Sequence, residues 1–462
     1  MLKGLEVSVV RLSELNNEHR IDAECYRKSF LQFEKAICSK KYTTVGDVAR
    51  FLIGPFGSAF DTANYIGNGK YRYVRGQDVK PFILKDDDCR YVPKADFNRL
   101  SKYALKENDV LVSVVGTLGN ACIVEKKDLP AIFSCKSTVI RAEKINPIVL
   151  LAYLNCKYGR ELLLRKEHGA IQKGLNLDDL KSLLIPVFTG SFQQKIETLV
   201  KSAHAKLAES KSLYAQAEDT LLCELGLKDW QPKNEAVSIK SFSDFASSGR
   251  LDAEYYQSKY DELFEKLSKF PQIKIKDVIN YPVSSGSTPK AGDSEYYSDE
   301  KTGIPFLRAV DIIQSRIDLN DLMYIKSRVH NGLLKRTQLH KGDVLFSIAG
   351  TVGRCGIFDY DFEANINQAI AILRFDESVV KHLYVIQFFN SKIGQLVIEK
   401  YARQGLQTNL NLEELSNLPI PILPQEIQKQ IAELIQTSFA LRQESKQLLE
   451  QAKRVVEEEI EK

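Results

Sequence analysis

The chain is 462 residues long with 44% hydrophobic and 27% charged residues, a composition that marks a folded protein too long for one core and sets an expectation of two to four domains. No apolar run reaches the roughly 18 residues of a membrane-spanning helix, and the opening Met1-Leu2-Lys3-Gly4-Leu5-Glu6 lacks the apolar core of a signal peptide, so a cytoplasmic protein is expected. The net charge of +4 hides an asymmetry: residues 1–191 hold 30 Lys and Arg against 22 Asp and Glu, residues 229–424 hold 23 against 25, and a polyanion partner is permitted without being required.

Taken from the N-terminus, the chain repeats itself. Val7-Ser8-Val9-Val10-Arg11-Leu12-Ser13-Glu14 recurs as Val237-Ser238-Ile239-Lys240-Ser241-Phe242-Ser243-Asp244, and Arg20-Ile21-Asp22-Ala23-Glu24-Cys25-Tyr26 recurs as Arg250-Leu251-Asp252-Ala253-Glu254-Tyr255-Tyr256. Tyr73-Val74-Arg75-Gly76-Gln77-Asp78-Val79 answers Phe306-Leu307-Arg308-Ala309-Val310-Asp311-Ile312. Next come basic stretches with interleaved aromatics. The first carries Arg90, Tyr91, Lys94, Phe97, Arg99, Lys102, Tyr103 and Lys106; the second runs Tyr324-Ile325-Lys326-Ser327-Arg328-Val329-His330 and on to Lys335-Arg336. Such segments suit a phosphate backbone, and a solvated helix face explains the charge equally well.

Asn108-Asp109-Val110-Leu111-Val112-Ser113 leads to Gly116-Thr117-Leu118-Gly119, and Gly342-Asp343-Val344-Leu345-Phe346-Ser347 leads to Gly350-Thr351-Val352-Gly353. The β-branched runs read as buried strands entering a turn. Glycine turns of this kind, with Gly54-Pro55-Phe56-Gly57-Ser58 and Ser285-Gly286-Ser287-Thr288-Pro289, more often end a strand than cradle a phosphate. Residues 147–165 and 378–401 carry apolar side chains at helical spacing. Asn176-Leu177-Asp178-Asp179-Leu180, ending in Ile185-Pro186, and its twin Asn411-Leu412-Glu413-Glu414-Leu415, ending in Ile420-Pro421, read as capped helical turns followed by a strand. Offsets between the copies drift only from 230 to 235, so one unit of about 230 residues is duplicated.

Each copy closes on a long charged helix, residues 193–225 and 428–460. Ile196, Val200, Ala203, Leu207, Ser210, Tyr214, Ala217 and Leu221 form one heptad stripe that alternates large and small residues. The second copy repeats the alternation with Ile435, Arg442, Leu449 and Val456 against Ser438, Ser445 and Ala452, widened by Leu434, Leu441 and Leu448; Arg442 is the misfit. A helix of this length is a rod of about 50 Å that cannot bury its own stripe. The two copies are expected to pack antiparallel, the Ala203, Ser210, Ala217 face on the Ser438, Ser445, Ala452 face, with Ser210 beside Ser445. The alternative is that each helix docks on its neighbouring domain. The expected boundaries are domains at residues 1–191 and 229–424 and helices at 192–228 and 425–462, with Trp230-Gln231-Pro232-Lys233-Asn234 as the linker.

Catalytic constellations are missing. No G-x-G-x-x-G follows a strand, and there is no G-x-x-x-x-G-K-[ST], H-E-x-x-H, G-x-S-x-G or Asn-Pro-Pro-aromatic motif. The 8 cysteines show no C-x-x-C, the 6 histidines stand apart, and no metal site is expected. An enzyme with its own active site is therefore the weaker expectation.

Two variable α/β units, each opening near R-[IL]-D-A-E-x-Y, holding a [GN]-D-V-L-x-S-x-x-G-T-x-G strand and turn, and closing with N-L-x-x-L, I-P and Q-x-x-I before a long helix, resemble the specificity subunit of Type I restriction-modification systems. Asn108 stands where the family has glycine, and Phe133-Ser134-Cys135 stands where the second unit has Ile366-Asn367-Gln368. The resemblance covers nearly the whole chain. It implies a mixed α/β fold with two target recognition domains, separated by two long helices in an antiparallel coiled coil and related by a pseudo-two-fold repeat. It also implies a non-catalytic chain in which each domain reads half of a split site on double-stranded DNA, while the helices set the spacing and dock methyltransferase subunits, two of them expected, with restriction subunits joining through the complex. No cofactor is expected on this chain; S-adenosylmethionine and ATP with Mg²⁺ belong to the partner subunits. Candidate DNA contacts are Arg75, Gln77, Lys94, Arg99 and Lys102 in the first unit and Arg308, Lys326, Arg328, Lys335 and Arg336 in the second. Candidate seam residues are Ala203, Leu207, Ser210, Tyr214, Ala217, Ser438, Ser445, Leu449 and Ala452. Rival readings are a duplicated protein-binding scaffold that never touches DNA and a self-sufficient enzyme with an unfamiliar site.

Overall fold

The computed structural model describes residues 6–11, 22–55, 57–169, 173–233, 235, 237–290, 293–313, 315–403, 405 and 408–462. Of the motifs quoted above, Leu12, Ser13, Glu14, Arg20, Ile21, Phe56 and Asn234 lie outside them. The chain divides into two compact units, residues 1–208 with 442–462 and residues 209–441, and each long helix contributes one half to each unit.

In the first unit, a four-stranded antiparallel sheet runs in the order Ala49–Ile53, Ser137–Ala142, Val110–Ser113, Ala121–Ile123. Val110 and Val112 enter one apolar cluster and Leu111 another, so both faces of this strand are covered and its sequence is continuously apolar instead of alternating. A second sheet places Tyr71–Val74 between antiparallel Arg90–Val92 and parallel Ala131–Phe133. Tyr42–Thr44 pairs with Leu184–Pro186, joining the start of the globule to its end.

The second unit repeats this plan with additions. Asp343–Ser347 lies between Ile370–Leu373 and Cys355–Phe358 in a six-stranded sheet whose far edge is the hairpin of Ile312–Ile313 and Ser315–Ile317. A four-stranded sheet holds Ile304–Leu307 between antiparallel Met323–Ile325 and parallel Asn365–Ile366. Gln272–Lys274 pairs with Pro419–Pro421.

Several local features follow from single residues. Asn108 (φ 68°) and Gly342 (φ 92°) occupy the same left-handed position ahead of the central strand, and asparagine is the non-glycine residue that tolerates it best. The stretch with helical spacing at 147–165 is two helices, Pro147–Asn155 and Lys157–Leu164, and that at 378–401 is His382–Asn390 and Lys392–Tyr401. A Cβ on Gly159 would stand 2.1 Å from the Tyr153 carbonyl oxygen, and one on Gly394 2.0 Å from that of Phe388, so glycine alone lets the second helix fold back so tightly. The capped turns form as expected: Asn176 Oδ1 accepts from the Asp179 amide at 2.9 Å, and Asn411 Oδ1 from that of Glu414 at 2.7 Å.

The long helices are Gly190–Glu224 and Gln425–Glu461. Within the first unit Ile196 and Val200 share a core with Ala452, Val456 and Ile460, and Ser445 Oγ donates to the Ala203 carbonyl at 2.7 Å. Within the second, Ala217 and Leu221 share a core with Ile431 and Ile435, and Ser438 Oγ donates to the Ser210 carbonyl at 2.7 Å. Seven residues forward on one helix match seven back on the other, so the helices run antiparallel, and they enter the domain cores as well as packing on each other. The expected contact of Ser210 with Ser445 is corrected by one heptad, because a seven-residue pattern repeats in registers one heptad apart and the docked ends choose between them. The hydroxyl of Tyr214 lies 2.6 Å from Ser315 Oγ, which Asn390 Nδ2 reaches at 2.8 Å. Leu207, Leu449 and Arg442 are half-buried, and Leu449 packs on the first unit's core.

Candidate nucleic-acid interface

The basic stretches connect a strand of the smaller sheet to the central strand in each unit. In the second unit, Lys326 caps the helix Ser327–Asn331, and Lys335 and Arg336 are exposed on the following turn. Arg328 is exposed and faces Glu295, with Nη2 3.2 Å from its carboxylate and 2.7 Å from its carbonyl oxygen. His330, counted with this patch on charge alone, is 2% exposed and lies against Asn365 Oδ1, so it belongs to the core and not to the surface. In the first unit Lys94 and Lys106 are exposed, Arg99 holds Asp96 at 2.8 Å, Arg90 holds Asp88 at 2.9 Å, and Lys102 Nζ sits 4.9 Å over the Tyr103 ring. The interleaved aromatics pack inward: Phe97 meets Tyr71 with ring centroids 4.5 Å apart, and Tyr103 meets Phe133 at 6.5 Å.

Arg75 and Arg308 are engaged by their own turns. Arg75 Nε and Nη2 bind Asp78 at 3.1 and 2.8 Å, and Arg308 Nε and Nη2 bind Asp311 at 3.2 and 2.9 Å. The hydrogen bonds to those buried carboxylates push both guanidinium pKa values up, Asp78 acting on Arg75 and Asp311 on Arg308. A fork already closed on aspartate is a brace for the turn it starts. Gln77, between them in sequence, points outward and is exposed, as is its counterpart Val310 at 53%.

The glycine turns serve structure. Gly116, Gly119, Gly350 and Gly353 have φ of 87°, 73°, 74° and 93°, and Ser113 and Ser347 hydroxyls donate to the Thr117 and Thr351 carbonyls. The Gly119 and Gly353 amides are spent on the Ser113 and Ser347 carbonyls at 3.0 and 2.9 Å.

What the motifs do together is bring loops to one place. A Cβ on Gly54 would lie 2.3 Å from the Ser134 carbonyl oxygen, and one on Gly286 2.4 Å from that of Asn367. The Ser134 amide donates to Val74 at 2.9 Å and that of Asn367 to Leu307 at 3.0 Å; Val114 donates to the Lys136 carbonyl at 2.9 Å and Ile348 to that of Ala369 at 2.8 Å. Each unit thus pins the segment after Ala131–Phe133 or Asn365–Ile366 between the glycine loop and the Arg75 or Arg308 turn. Lys136 and Gln368 stand exposed on it, and neither was singled out from sequence; the signal available was the difference between Phe133-Ser134-Cys135 and Ile366-Asn367-Gln368.

Residues 43–211 and 268–454 each match the family described as Type I restriction modification DNA specificity domain. The chain is 26% identical over 240 residues to the type I restriction enzyme EcoBI specificity subunit of Escherichia coli, covering 51% of this chain and 50% of that protein. It is 25% identical over 167 residues to the putative type I restriction enzyme MjaX specificity subunit of Methanocaldococcus jannaschii, covering 35% and 37%. The chain therefore spans half or less of the length of these curated relatives. Among solved structures, the Type-I restriction-modification S subunit from M. genitalium aligns at 13% identity and a TM-score of 0.40, covering 91% of this chain and 96% of that one. The HsdS subunit from Thermoanaerobacter tengcongensis aligns at 16% identity and a TM-score of 0.27, with coverage of 91% and 96%.

Proposed function

Because the chain belongs to the Type I restriction modification DNA specificity family, we propose that it is the DNA-reading subunit of such a complex, each unit recognising one half of a bipartite duplex site. The observation that carries this reading is the doubled family match, which falls on two units that each have their own core. The reading domains are placed at residues 1–191 and 229–424, and the helices at 192–228 and 425–462 act as the spacer and as the dock for two methyltransferase subunits, through which restriction subunits join. Chemistry resides on those partners, which carry S-adenosylmethionine and ATP with Mg²⁺, and this chain supplies orientation and sequence choice. Exposed Lys94, Lys106, Lys335 and Arg336, with half-buried Lys326, suit phosphate contacts, which position a reader without specifying bases.

The test is to produce the chain with its methyltransferase subunit and sequence the modified positions in duplex DNA. A single bipartite site is expected, together with binding whose log K falls linearly with log salt. Absence of both would favour a protein-binding scaffold, and methyl transfer by this chain alone would make it an enzyme.

A further inference from the structure

The two reading loops share one scaffold and differ in what they display. The two pinning amide bonds and the arginine–aspartate brace recur in both units within 0.1 Å, and a loop glycine closes on the same segment in each, nearest to the Ser134 carbonyl in the first and to that of Ile366 in the second. On that constant frame the outward side chains have changed: Gln77 in the first unit is replaced by Val310 in the second, Cys135 by Gln368, and Lys136 by Ala369. In the first unit the two segments meet closely: a Cβ on Gly76 would stand 2.9 Å from Lys136 Cβ, and the second unit carries Ala309 at the position of Gly76.

A brace and a loop glycine kept alike, with exposed side chains made different, are what two readers of unlike half-sites require. Resting on the function proposed above, we infer that Gln77 and Lys136 in the first unit, and Val310 and Gln368 in the second, are the base-reading side chains. A glutamine amide both donates and accepts, matching the N6 and N7 edge of adenine; a lysine donates to O6 and N7 of guanine; an apolar side chain packs on the thymine methyl. Each loop is held by backbone hydrogen bonds to neighbouring strands, so the side chains are presented from a rigid base, as readout requires. The arginines of the brace hold the frame and do not read.

The full chain, assembled with its methyltransferase subunit, is given a duplex library randomised across both half-sites, and methylated molecules are sequenced. Gln368→Glu removes the donor and leaves only acceptors, so one position of one half-site should shift from adenine toward cytosine by about tenfold to a hundredfold, with the other half-site unchanged. Lys136→Gln should likewise shift one position of the other half-site. The combined exchange Ala309→Gly, Val310→Gln, Gln368→Cys and Ala369→Lys should convert the second unit's preference at these positions to that of the first. Unchanged preference with retained methylation overturns the assignment. So does an equal loss on all sequences in a variant that melts with the unmodified chain, the mark of a phosphate contact. A failure of the proposed function is separate, because the unmodified assembly would then select no bipartite site.

Discussion

Arg374 Nε lies 2.7 Å from Asp343 Oδ1, and Arg141 Nε lies 2.8 Å from Asp109 Oδ1; the second nitrogen of each fork reaches the other carboxylate oxygen and a nearby carbonyl, of Gln338 and of Ala104. This pair is why aspartate opens the central strand in both repeats. Asp343 is 2% exposed, so replacing it by Ala leaves a half-buried guanidinium without its counter-charge. Removing one partner of such a pair costs about 3 kcal/mol. Asp343→Ala and Asp109→Ala should each lower the urea midpoint markedly, and an unchanged midpoint in both would show that the fork braces nothing.

The helix seam is tight at Ser438, 1% exposed against the Ser210 carbonyl. Ser438→Ala should cost about 1–3 kcal/mol, because the Ser438 hydroxyl meets both the carbonyl and, at 3.0 Å, the hydroxyl of Ser210. Ser438→Leu loses the same contacts and must also force the helices apart, adding about 1–3 kcal/mol from overpacking. Calorimetry of the two variants checks the order.

Glu125 accepts from His204 of the first long helix at 3.1 Å, and this bond, followed by that of Lys127, holds its carboxyl down to about 2. A depressed carboxyl stabilises the fold above its unfolded value near ~4.3 and loses that contribution as pH falls toward 2. The group is partly exposed, so the effect is modest. Glu125→Gln should flatten the stability profile between about pH 4.5 and pH 2.5, read from urea midpoints at each pH; an identical slope would remove the His204 contact from the account.

Lys335 and Arg336 are exposed on one turn of the second unit, with no ion pair to another described residue. Substituting both by Ala should weaken duplex binding evenly across sequences and reduce the salt slope by about two, one per lost phosphate contact. A changed base preference at an unchanged slope would move them into a groove.

If the long helices are the ruler, one heptad inserted into each, between residues 207 and 208 and at the facing position of the second, keeps the stripe in phase and adds about 10 Å. The spacer between the half-sites should grow by about three base pairs. Sequenced modification sites decide, and an unchanged spacer with activity kept would show that the helices do not set it.

Wherever the physics is local or repeats along the chain, it was readable from the sequence. Asn176 and Asn411 announce their capping boxes, the apolar run at Val110 and Leu111 announces a strand covered on both faces, and the heptads announce two long helices, since each depends on neighbours a few residues away. The duplication itself needs nothing but comparison of the chain with itself. Tertiary structure alone decided which partner each exposed-looking group takes. It turned His330 inward to Asn365, moved the Ser210 contact from Ser445 to Ser438, and brought Lys136 beside Gly76 across 60 residues of sequence. Charge and periodicity state what a side chain can do. Whether its hydrogen bonds are already spent depends on segments far away in sequence, which meet only when the sheets form.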